Sequence, residues 1–370
     1  MKVHRGFKSH RYRTQKAPNR AIMRIWGPSS CRVVRFRHTH PRLRIGRRSS
    51  RNWRLTRTGT VPRMLRTPQP RPELARPRSL EPGDVIALVS PASWSDESWL
   101  AESVETVESW GFKARVGRHA TDRLGYMAGG DRERAADLNT AIHDPEVRAI
   151  LCLRGGCGSL RLLADVDADA LRADPKPIIG FSDITALHQV WHQAGVPSVH
   201  GAVAGTRAST VRRLLVGERG EPVRSDSSQF GAELSTAGTA SGPLFGGNLE
   251  MLARSVGVVD NDLEGHVLLL ETHREVGLGM VDRALTQLLL SGALAGISGI
   301  AVGALEGFED YQDREWTVLD VLQDRLGSLG VPILAGLPLG HIENPVSVPL
   351  GVECVLDAGA GTLTVDPLTA

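Results

Sequence analysis

The sequence predicts an α/β protein in which an N-terminal doubly wound parallel sheet, flavodoxin- or Rossmann-like, precedes a smaller C-terminal mixed α+β domain. The 370-residue chain is long enough for two packed domains, and 41% of its residues are hydrophobic. From Gly83 onward, short apolar runs alternate with amphipathic stretches of about ten to fifteen residues, which is typical of strands joined by crossover helices. Glycine-rich turns follow several of these runs, so binding loops are expected where the strands end.

The N-terminal domain is predicted to span residues 79–207. Its predicted strands are the apolar runs DVIALVSPA, KARVG, AILCL and PIIG. Its predicted helices are the periodic segments SDESWLAESVETVESWGF, DRERAADLNTAIHDPEV, SLRLLADV and DITALHQVWHQ. A parallel sheet built from these elements brings the loops RGGCGS and GFSD to one edge, because both follow a strand.

A second unit is predicted after a linker. Residues 208–240 are polar with weak periodicity and are interpreted as the linker. Residues 241–370 form the predicted C-terminal domain. Its segments are a loop and helix in GGNLEMLARSVG, a strand in HVLLLE, a helix in GMVDRALTQLLLSGAL, a strand in GIAVGAL, and a hairpin in VECVLDAGAGTLTVD.

Charge is divided unevenly along the chain. Residues 1–78 carry 23 Lys and Arg against one acid, which leaves 21 bases and 40 acids, a net charge of −19, in residues 79–370. An acidic body repels phosphate backbones, so no nucleic-acid partner is expected for the globular part. The basic segment is predicted to be a disordered extension. A nucleic-acid or anionic-surface tail, a transit-like peptide, and a true start at Met64 or Met23 are three hypotheses for it.

Localisation and metal content follow from a few further patterns. Four cysteines lack CxxC spacing, and no apolar signal segment is present, so a cytoplasmic, reducing compartment is expected. The uncharged stretch Leu285–Leu305 has membrane-spanning length, but its glycines divide it into helix, turn and strand, so no membrane partner is expected. His188 and His192 have metal-pair spacing without a third ligand, and neither a metal nor a cofactor is predicted.

Ser182 is the first candidate nucleophile. It lies in PIIGFSDIT, where a strand turns directly into a helix, a geometry that projects a hydroxyl and aims following N–H groups at one point. The turn departs from G-x-S-x-G, since Asp183 and Ile184 follow the serine. A helix cap is the structural alternative. The glycines of RGGCG could supply half of an oxyanion hole or merely a tight turn.

A serine nucleophile needs a base and an acid that orients it. His200 in SVHGA and His341 in PLGHIEN both stand at strand ends beside glycine, and the residue pattern alone does not choose between them. Glu271 closes the strand HVLLLE and is the leading acid. The competing acids are Glu306, Glu309 and Asp310.

In order, the motifs of residues 83–366 resemble the LD-carboxypeptidase family of serine peptidases, which includes the microcin C self-immunity hydrolases. The segments that carry the resemblance are GDVIALVSPAS, the long block from GYMAGGDRER to CLRGGCGSLRLL, GFSDIT, GPLFGGNL, LLLE, VDRALTQL and GHIENPVSVPLG. Three departures stand out: Cys157 replaces the tyrosine of RGGYG, Ala202 replaces the proline of HGP, and ETHRE follows where an EDxxE-like run is usual.

The resemblance implies a role for particular residues. It maps a catalytic triad onto Ser182, Glu271 and His341, with His200 as a supporting residue. It maps oxyanion N–H donors onto Gly156 and Asp183, and substrate contacts onto Asn248 and Cys157.

The activity implied is that of a serine carboxypeptidase that releases the terminal D-alanine of a murein tetrapeptide during cell-wall recycling. The expected partners are a muropeptide or another small peptide as substrate and a second copy of the chain in a homodimer. The alternatives are a microcin-immunity-type hydrolase of acyl-nucleotide conjugates, a cysteine amidase that uses Cys157, and a phosphate- or sugar-binding module without catalysis.

Overall fold

The computed structural model describes residues 72–201, 208–259, 262–275 and 277–370. Most of the predicted basic extension therefore lies outside the described residues. Its last part, residues 72–78, packs on the body without regular secondary structure. The Ala75 N–H donates to the Gly195 carbonyl at 2.8 Å, and an Arg172 Nη1 donates to the Glu73 carbonyl at 2.9 Å. The described body thus begins before the predicted boundary at residue 79.

The described residues form helices and strands in close to the predicted order. The α-helices are α1 (Glu97–Ser109), α2 (Asp131–His143), α3 (Ala168–Ala173), α4 (Thr185–Ala194), α5 (Ala208–Leu215), α6 (Leu249–Arg254), α7 (Leu278–Leu290) and α8 (Val318–Leu326). The strands are β1 (Val85–Val89), β2 (Lys113–Val116), β3 (Val147–Cys152), β4 (Ile178–Gly180), β5 (Ser198–His200), β6 (Val223–Arg224), β7 (Thr239–Asn248), β8 (Val267–His273), β9 (Gly299–Glu306), β10 (Ile333–Leu334), β11 (Val348–Leu350), β12 (Glu353–Asp357) and β13 (Thr362–Val365). The predicted helix SLRLLADV is instead a 3₁₀ helix over Ser159–Asp165.

The first sheet has the strand order β11-β5-β4-β3-β1-β2, and β2, β1, β3, β4 and β5 run parallel. This order confirms the doubly wound prediction, and it places the reversal of winding between β1 and β3. All five residues of β1 are buried. Alternate residues enter two different core clusters, one with Leu138 and Leu187 from α2 and α4, the other with Val107 and Val211 from α1 and α5. Helices on both faces explain why the strand is continuously apolar.

The second sheet is mixed, with the order β10-β9-β8-β7-β12-β13-β6. The strands β7 to β10 are parallel, whereas β12 and β13 form the predicted antiparallel hairpin. Residues 208–240, predicted to be a linker, contain α5 and β6. Helix α5 buries Val211, Leu214 and Leu215, whose spacing makes one apolar stripe on a segment that is otherwise polar.

The two sheets are joined by β11, which the chain reaches only after completing most of the second sheet. Val348 pairs with His200 and Leu350 pairs with Ser198 in antiparallel register. This strand covers the edge of the first sheet beside β5. The chain between β10 and β11, which contains His341, is therefore fixed at both ends to different sheets.

The uncharged stretch Leu285–Leu305 is divided as predicted. Helix α7 ends at Leu290, and β9 begins at Gly299. Among the helices that the structure describes, none combines the length and apolar character needed to cross a bilayer.

Candidate active site

The turn that carries Ser182 is strained. Ser182 follows β4 and has a φ of 62°, one of three positive values among the described non-glycine residues. Such a backbone costs about 1–3 kcal/mol and persists where the surrounding packing fixes it. A Cβ on Gly180 would lie 2.8 Å from a methyl of Ile184, so only glycine lets strand and helix approach this closely. The Ser182 side chain is half-buried.

Loops after three neighbouring strands converge at this turn. A Cβ on Gly155 would lie 3.0 Å from the Ser182 Cβ and 3.1 Å from the Phe181 carbonyl oxygen. The Ser93 N–H donates to the Gly155 carbonyl at 3.1 Å, and the Cys157 N–H donates to the Ser93 Oγ at 3.1 Å. The loop after β1 thus holds the RGG loop against the turn of Ser182, at the point where the winding of the sheet reverses.

The two predicted oxyanion donors lie on these loops. Gly156 has a φ of 98°, and a Cβ there would lie 2.4 Å from the Ser93 Oγ. The Asp183 side chain points away from the site, because its Oδ2 accepts the Ser159 N–H at 2.8 Å. Burial raises the pKa of the Asp183 carboxyl despite the hydrogen bonds from Ser159. Only the backbone N–H of Asp183 is therefore available for the predicted role.

Glu271 and His341 form a buried pair. Glu271 is near the end of β8, is 1% exposed, and its Oε2 lies 2.5 Å from the His341 Nδ1. Gly340, with a φ of 96°, permits this approach, since a Cβ there would lie 2.6 Å from the same Oε2. Because a carboxylate oxygen accepts hydrogen bonds, the His341 Nδ1 carries the ring proton, and Nε2 is left free to accept one.

The pair perturbs the protonation of both members. Burial opposes the charge on Glu271, but the hydrogen bond and charge of His341 outweigh it and lower the pKa of the carboxyl. Burial likewise opposes the charge on His341, but the hydrogen bond and charge of Glu271 raise the pKa of the ring. The carboxylate therefore stabilises an imidazolium, which is the form that a general base reaches when it takes a proton.

Two aromatic side chains that the sequence analysis did not single out contact His341. The Phe181 ring lies 5.0 Å from the His341 ring between centroids, at 59°. The His273 ring is stacked on His341 at 3.9 Å and 28°. Because Phe181 directly precedes Ser182, its contact brings the predicted base to the nucleophile turn. The sequence does contain one indication of this contact: His273 lies two residues after Glu271, and residues two apart in a strand project from the same face.

His200 occupies a different place from His341. It is fully buried, and neither of its ring nitrogens has a hydrogen-bond partner among the described residues. Burial lowers the pKa of its ring to about 4, although the charge of Glu271 acts in the opposite direction. Glu271 is thus hydrogen-bonded to His341 and not to His200. The chain segment 202–207, which contains Ala202, lies outside the described residues.

The two predicted substrate contacts differ in exposure. Cys157 is exposed beside the RGG loop. Asn248 is 4% exposed and caps α6, where its Oδ1 accepts the Met251 N–H at 3.2 Å, and it also favours the ionised form of Glu271. An asparagine directly before the apolar run LEML is a recognisable cap signal, which the sequence analysis did not use.

The remaining candidates lie elsewhere. The competing acids Glu306, Glu309 and Asp310 are all exposed, whereas the carboxylate bonded to His341 is that of Glu271. His188 is buried, its Nε2 is 3.0 Å from the Gly180 carbonyl, and burial lowers its pKa to about 3. Within the described ranges, no three His, Cys, Asp or Glu residues are grouped as a metal site would require.

Comparison with protein families gives two adjacent matches. Residues 86–201 match the LD-carboxypeptidase N-terminal domain, and residues 241–356 match the LD-carboxypeptidase C-terminal domain. The first match contains the loops around Ser182, and the second contains Glu271 and His341.

Individual proteins agree with these matches. A Streptomyces coelicolor protein that carries the name carboxypeptidase is 38% identical over 308 residues, covering 80% of this chain and 97% of its own. The murein tetrapeptide carboxypeptidase of Pseudomonas aeruginosa is 31% identical over 295 residues, covering 74% and 92%. The microcin C7 self-immunity protein of Escherichia coli is 26% identical over 328 residues, covering 78% and 94%. Its structure in complex with glutamyl sulfamoyl guanosine aligns with a TM-score of 0.70 at 24% identity, over 80% of this chain and 100% of that one, and shows the same fold.

The two family matches contain every candidate residue of the site, and the relatives align over nearly their whole length. The protein is therefore an enzyme of the LD-carboxypeptidase family.

Proposed function

We propose that this protein is a serine carboxypeptidase that hydrolyses the L,D-peptide bond at the C-terminus of a muropeptide and releases the terminal D-alanine of a murein tetrapeptide. The observation that carries the proposal is the buried Glu271–His341 pair packed against the strained turn of Ser182. The similarity to the murein tetrapeptide carboxypeptidase of Pseudomonas aeruginosa supports the choice of substrate.

The first half of the reaction forms an acyl-enzyme. The His341 Nε2 takes the proton of the Ser182 hydroxyl while Oγ bonds to the scissile carbonyl carbon. The carbonyl oxygen becomes an oxyanion, which the N–H groups of Gly156 and Asp183 stabilise from the two converging loops. Glu271 stays ionised and stabilises the imidazolium. When the oxyanion collapses, His341 gives the proton to the nitrogen of the leaving D-amino acid, and the C–N bond breaks.

The second half regenerates the enzyme. His341 takes a proton from a water molecule, whose oxygen bonds to the acyl carbon of the Ser182 ester. Collapse of this second oxyanion breaks the bond to Oγ, and His341 returns its proton to Ser182. The products are the shortened muropeptide carboxylate and a free D-amino acid, and no group outside the chain and water takes part.

A second candidate function is hydrolysis of an acyl-nucleotide conjugate by the same three residues. The observation that favours it is the similarity to the microcin C7 self-immunity protein, whose structure was determined in complex with glutamyl sulfamoyl guanosine. Incubation with a synthetic aminoacyl sulfamoyl nucleoside tests it. Release of the nucleoside at a rate above that of tetrapeptide cleavage would favour this function over the first.

The nucleophile is assigned by comparing two variants. Mass spectrometry of a synthetic murein tetrapeptide should show loss of the terminal D-alanine with wild type and with Cys157→Ala, and none with Ser182→Ala. Cys157 is a matched control because it is exposed near the same loops. Activity retained in Ser182→Ala but lost in Cys157→Ala would instead support the cysteine amidase.

Cytoplasmic location and a homodimer belong to the same proposal. Turnover of imported wall fragments requires the enzyme where those fragments arrive, and the three cysteines of the described chain are unpaired, which suits a reducing compartment. Cell fractionation and light scattering of the purified protein test the two statements. Recovery with the envelope fraction, or a monomeric mass at working concentration, would contradict them.

A further inference from the structure

His273 is held against the base by its own strand and by a neighbouring acid. It closes β8 two residues after Glu271, so both side chains project from the same face of the strand. Its ring is stacked on His341 with centroids 3.9 Å apart and an interplanar angle of 28°. The other contact is at its edge, where Nε2 lies 3.0 Å from the Glu275 Oε1.

We propose that His273 is a positioning residue for His341: its flat ring fixes the plane of the base so that Nε2 faces the Ser182 turn. This inference rests on the proposed function. His273 belongs to the ETHRE run, the segment in which this chain departs from the usual motif of the family, and the proposal gives this residue a positioning role.

The contacts of His341 explain why a second support is needed. The covalent bond from Cβ and the hydrogen bond between Nδ1 and Glu271 hold one side of the ring, whereas Nε2 lies on the opposite side. Phe181 meets the ring at 59° with centroids 5.0 Å apart, so this contact is tilted and does not cover the flat face of the ring. Among the residues that the structure describes, His273 is the one whose ring stacks near-parallel on His341, so it is placed to restrict a tilt of the plane.

His273 is itself held in place. Its side chain is 29% exposed, so part of the ring is packed, and Glu275 bonds the exposed edge. The Nδ1 atom is buried without a hydrogen-bond partner among the described residues. A buried nitrogen without a hydrogen-bond partner destabilises this position of the ring, so stacking on His341 and the Glu275 contact must outweigh that cost.

The test compares variants that keep or remove the flat ring. Displacing a reacting group by about 1 Å typically costs 100-fold in rate, so His273→Ala should lower kcat for the tetrapeptide by roughly 30- to 100-fold with KM within about twofold. His273→Phe keeps a flat ring and should restore kcat to within about threefold. His273→Leu restores volume without a flat face and should remain close to the alanine variant.

His143→Ala is the matched control. His143 also bonds a carboxylate, Asp167, at 2.8 Å, but it lies at the end of α2 and contacts none of the site residues. It should leave both kinetic constants unchanged. Wild-type kcat in His273→Ala, or equal rescue by leucine and phenylalanine, would overturn the proposal, as would a change confined to KM.

A measurement without substrate separates this inference from the proposed function. The proton between His341 Nδ1 and Glu271 should give a downfield NMR signal that is sharp in wild type and His273→Phe and broadened in His273→Ala. If the tetrapeptide is not cleaved but this pattern is observed, the positioning role stands and the substrate assignment fails. An unaltered signal in His273→Ala refutes the role for any substrate.

Discussion

Replacing Glu271 with glutamine keeps the shape of the site and removes the charge that faces His341. The two groups are 2.5 Å apart, with Glu271 fully buried. With charge centres about 4 Å apart and an effective dielectric constant near 20, the attraction between carboxylate and imidazolium is about 4 kcal/mol. That attraction is complete only when His341 carries the proton of Ser182, so it acts mainly on the transition state. At about 1.4 kcal/mol per tenfold, kcat should fall by roughly 1,000-fold.

The assay measures the rate of D-alanine release from the tetrapeptide and yields kcat and KM for wild type and variant. The unfolding temperature of each protein checks that the fold is retained. KM should change by less than about threefold, because no substrate contact is removed. Glu250→Gln is the control: it also removes a carboxylate charge near the site, but Glu250 is half-buried, accepts a hydrogen bond from Thr272 at 3.0 Å, and raises the pKa of His341 less than Glu271 does. A kcat for Glu271→Gln within about tenfold of wild type, or an equal loss in the control, would refute the reasoning.

Three further predictions concern stability and pH. Gly340→Ala adds a Cβ at a φ of 96°, and this Cβ would lie 2.6 Å from the Glu271 Oε2. We expect the free energy of unfolding, measured by urea titration, to fall by about 1–3 kcal/mol, and kcat to fall as well. Trp191→Phe removes the donor to the buried Lys176 carbonyl at 2.8 Å and should cost about 1–3 kcal/mol in the same titration while kcat is unchanged. In the proposed mechanism His341 acts as a neutral base. Burial lowers the pKa of its ring, but the hydrogen bond and charge of Glu271 outweigh burial and raise the pKa, so kcat/KM should rise with pH through a window above pH 6.5. A plateau already complete below pH 6 would contradict this.

The sequence predicted the first sheet well because its signals are local. Continuous apolar runs such as residues 85–89 form strands that are buried on both faces, and the glycines of RGGCG and GFSD mark the ends of strands. Helix α5 was missed because three apolar residues, Val211, Leu214 and Leu215, are its only buried part. Strand β11 was missed because three residues of a loop-like run become a strand only by pairing with β5.

The sequence predicted the site less completely than the first sheet. The residue types and their strand ends suggested Ser182 and Glu271, but His200 and His341 carried equal local signals, and the resemblance chose between them. The contacts of Phe181 and His273 with the base join residues some 160 and 68 positions away from it in the chain. No pattern within one segment encodes such contacts, since they depend on how the segment after β10 is placed.

Strand β11 also bears on how the protein could be divided for experiments. It occupies the backbone hydrogen-bonding edge of β5, which would otherwise be an open edge of the first sheet. An unprotected edge is a template for pairing with other chains. A fragment that stops at residue 207 would expose that edge and would also lack helix α5, which packs on the same sheet, so it should aggregate on expression. During synthesis, likewise, this edge stays open until residue 350 has been added to the growing chain.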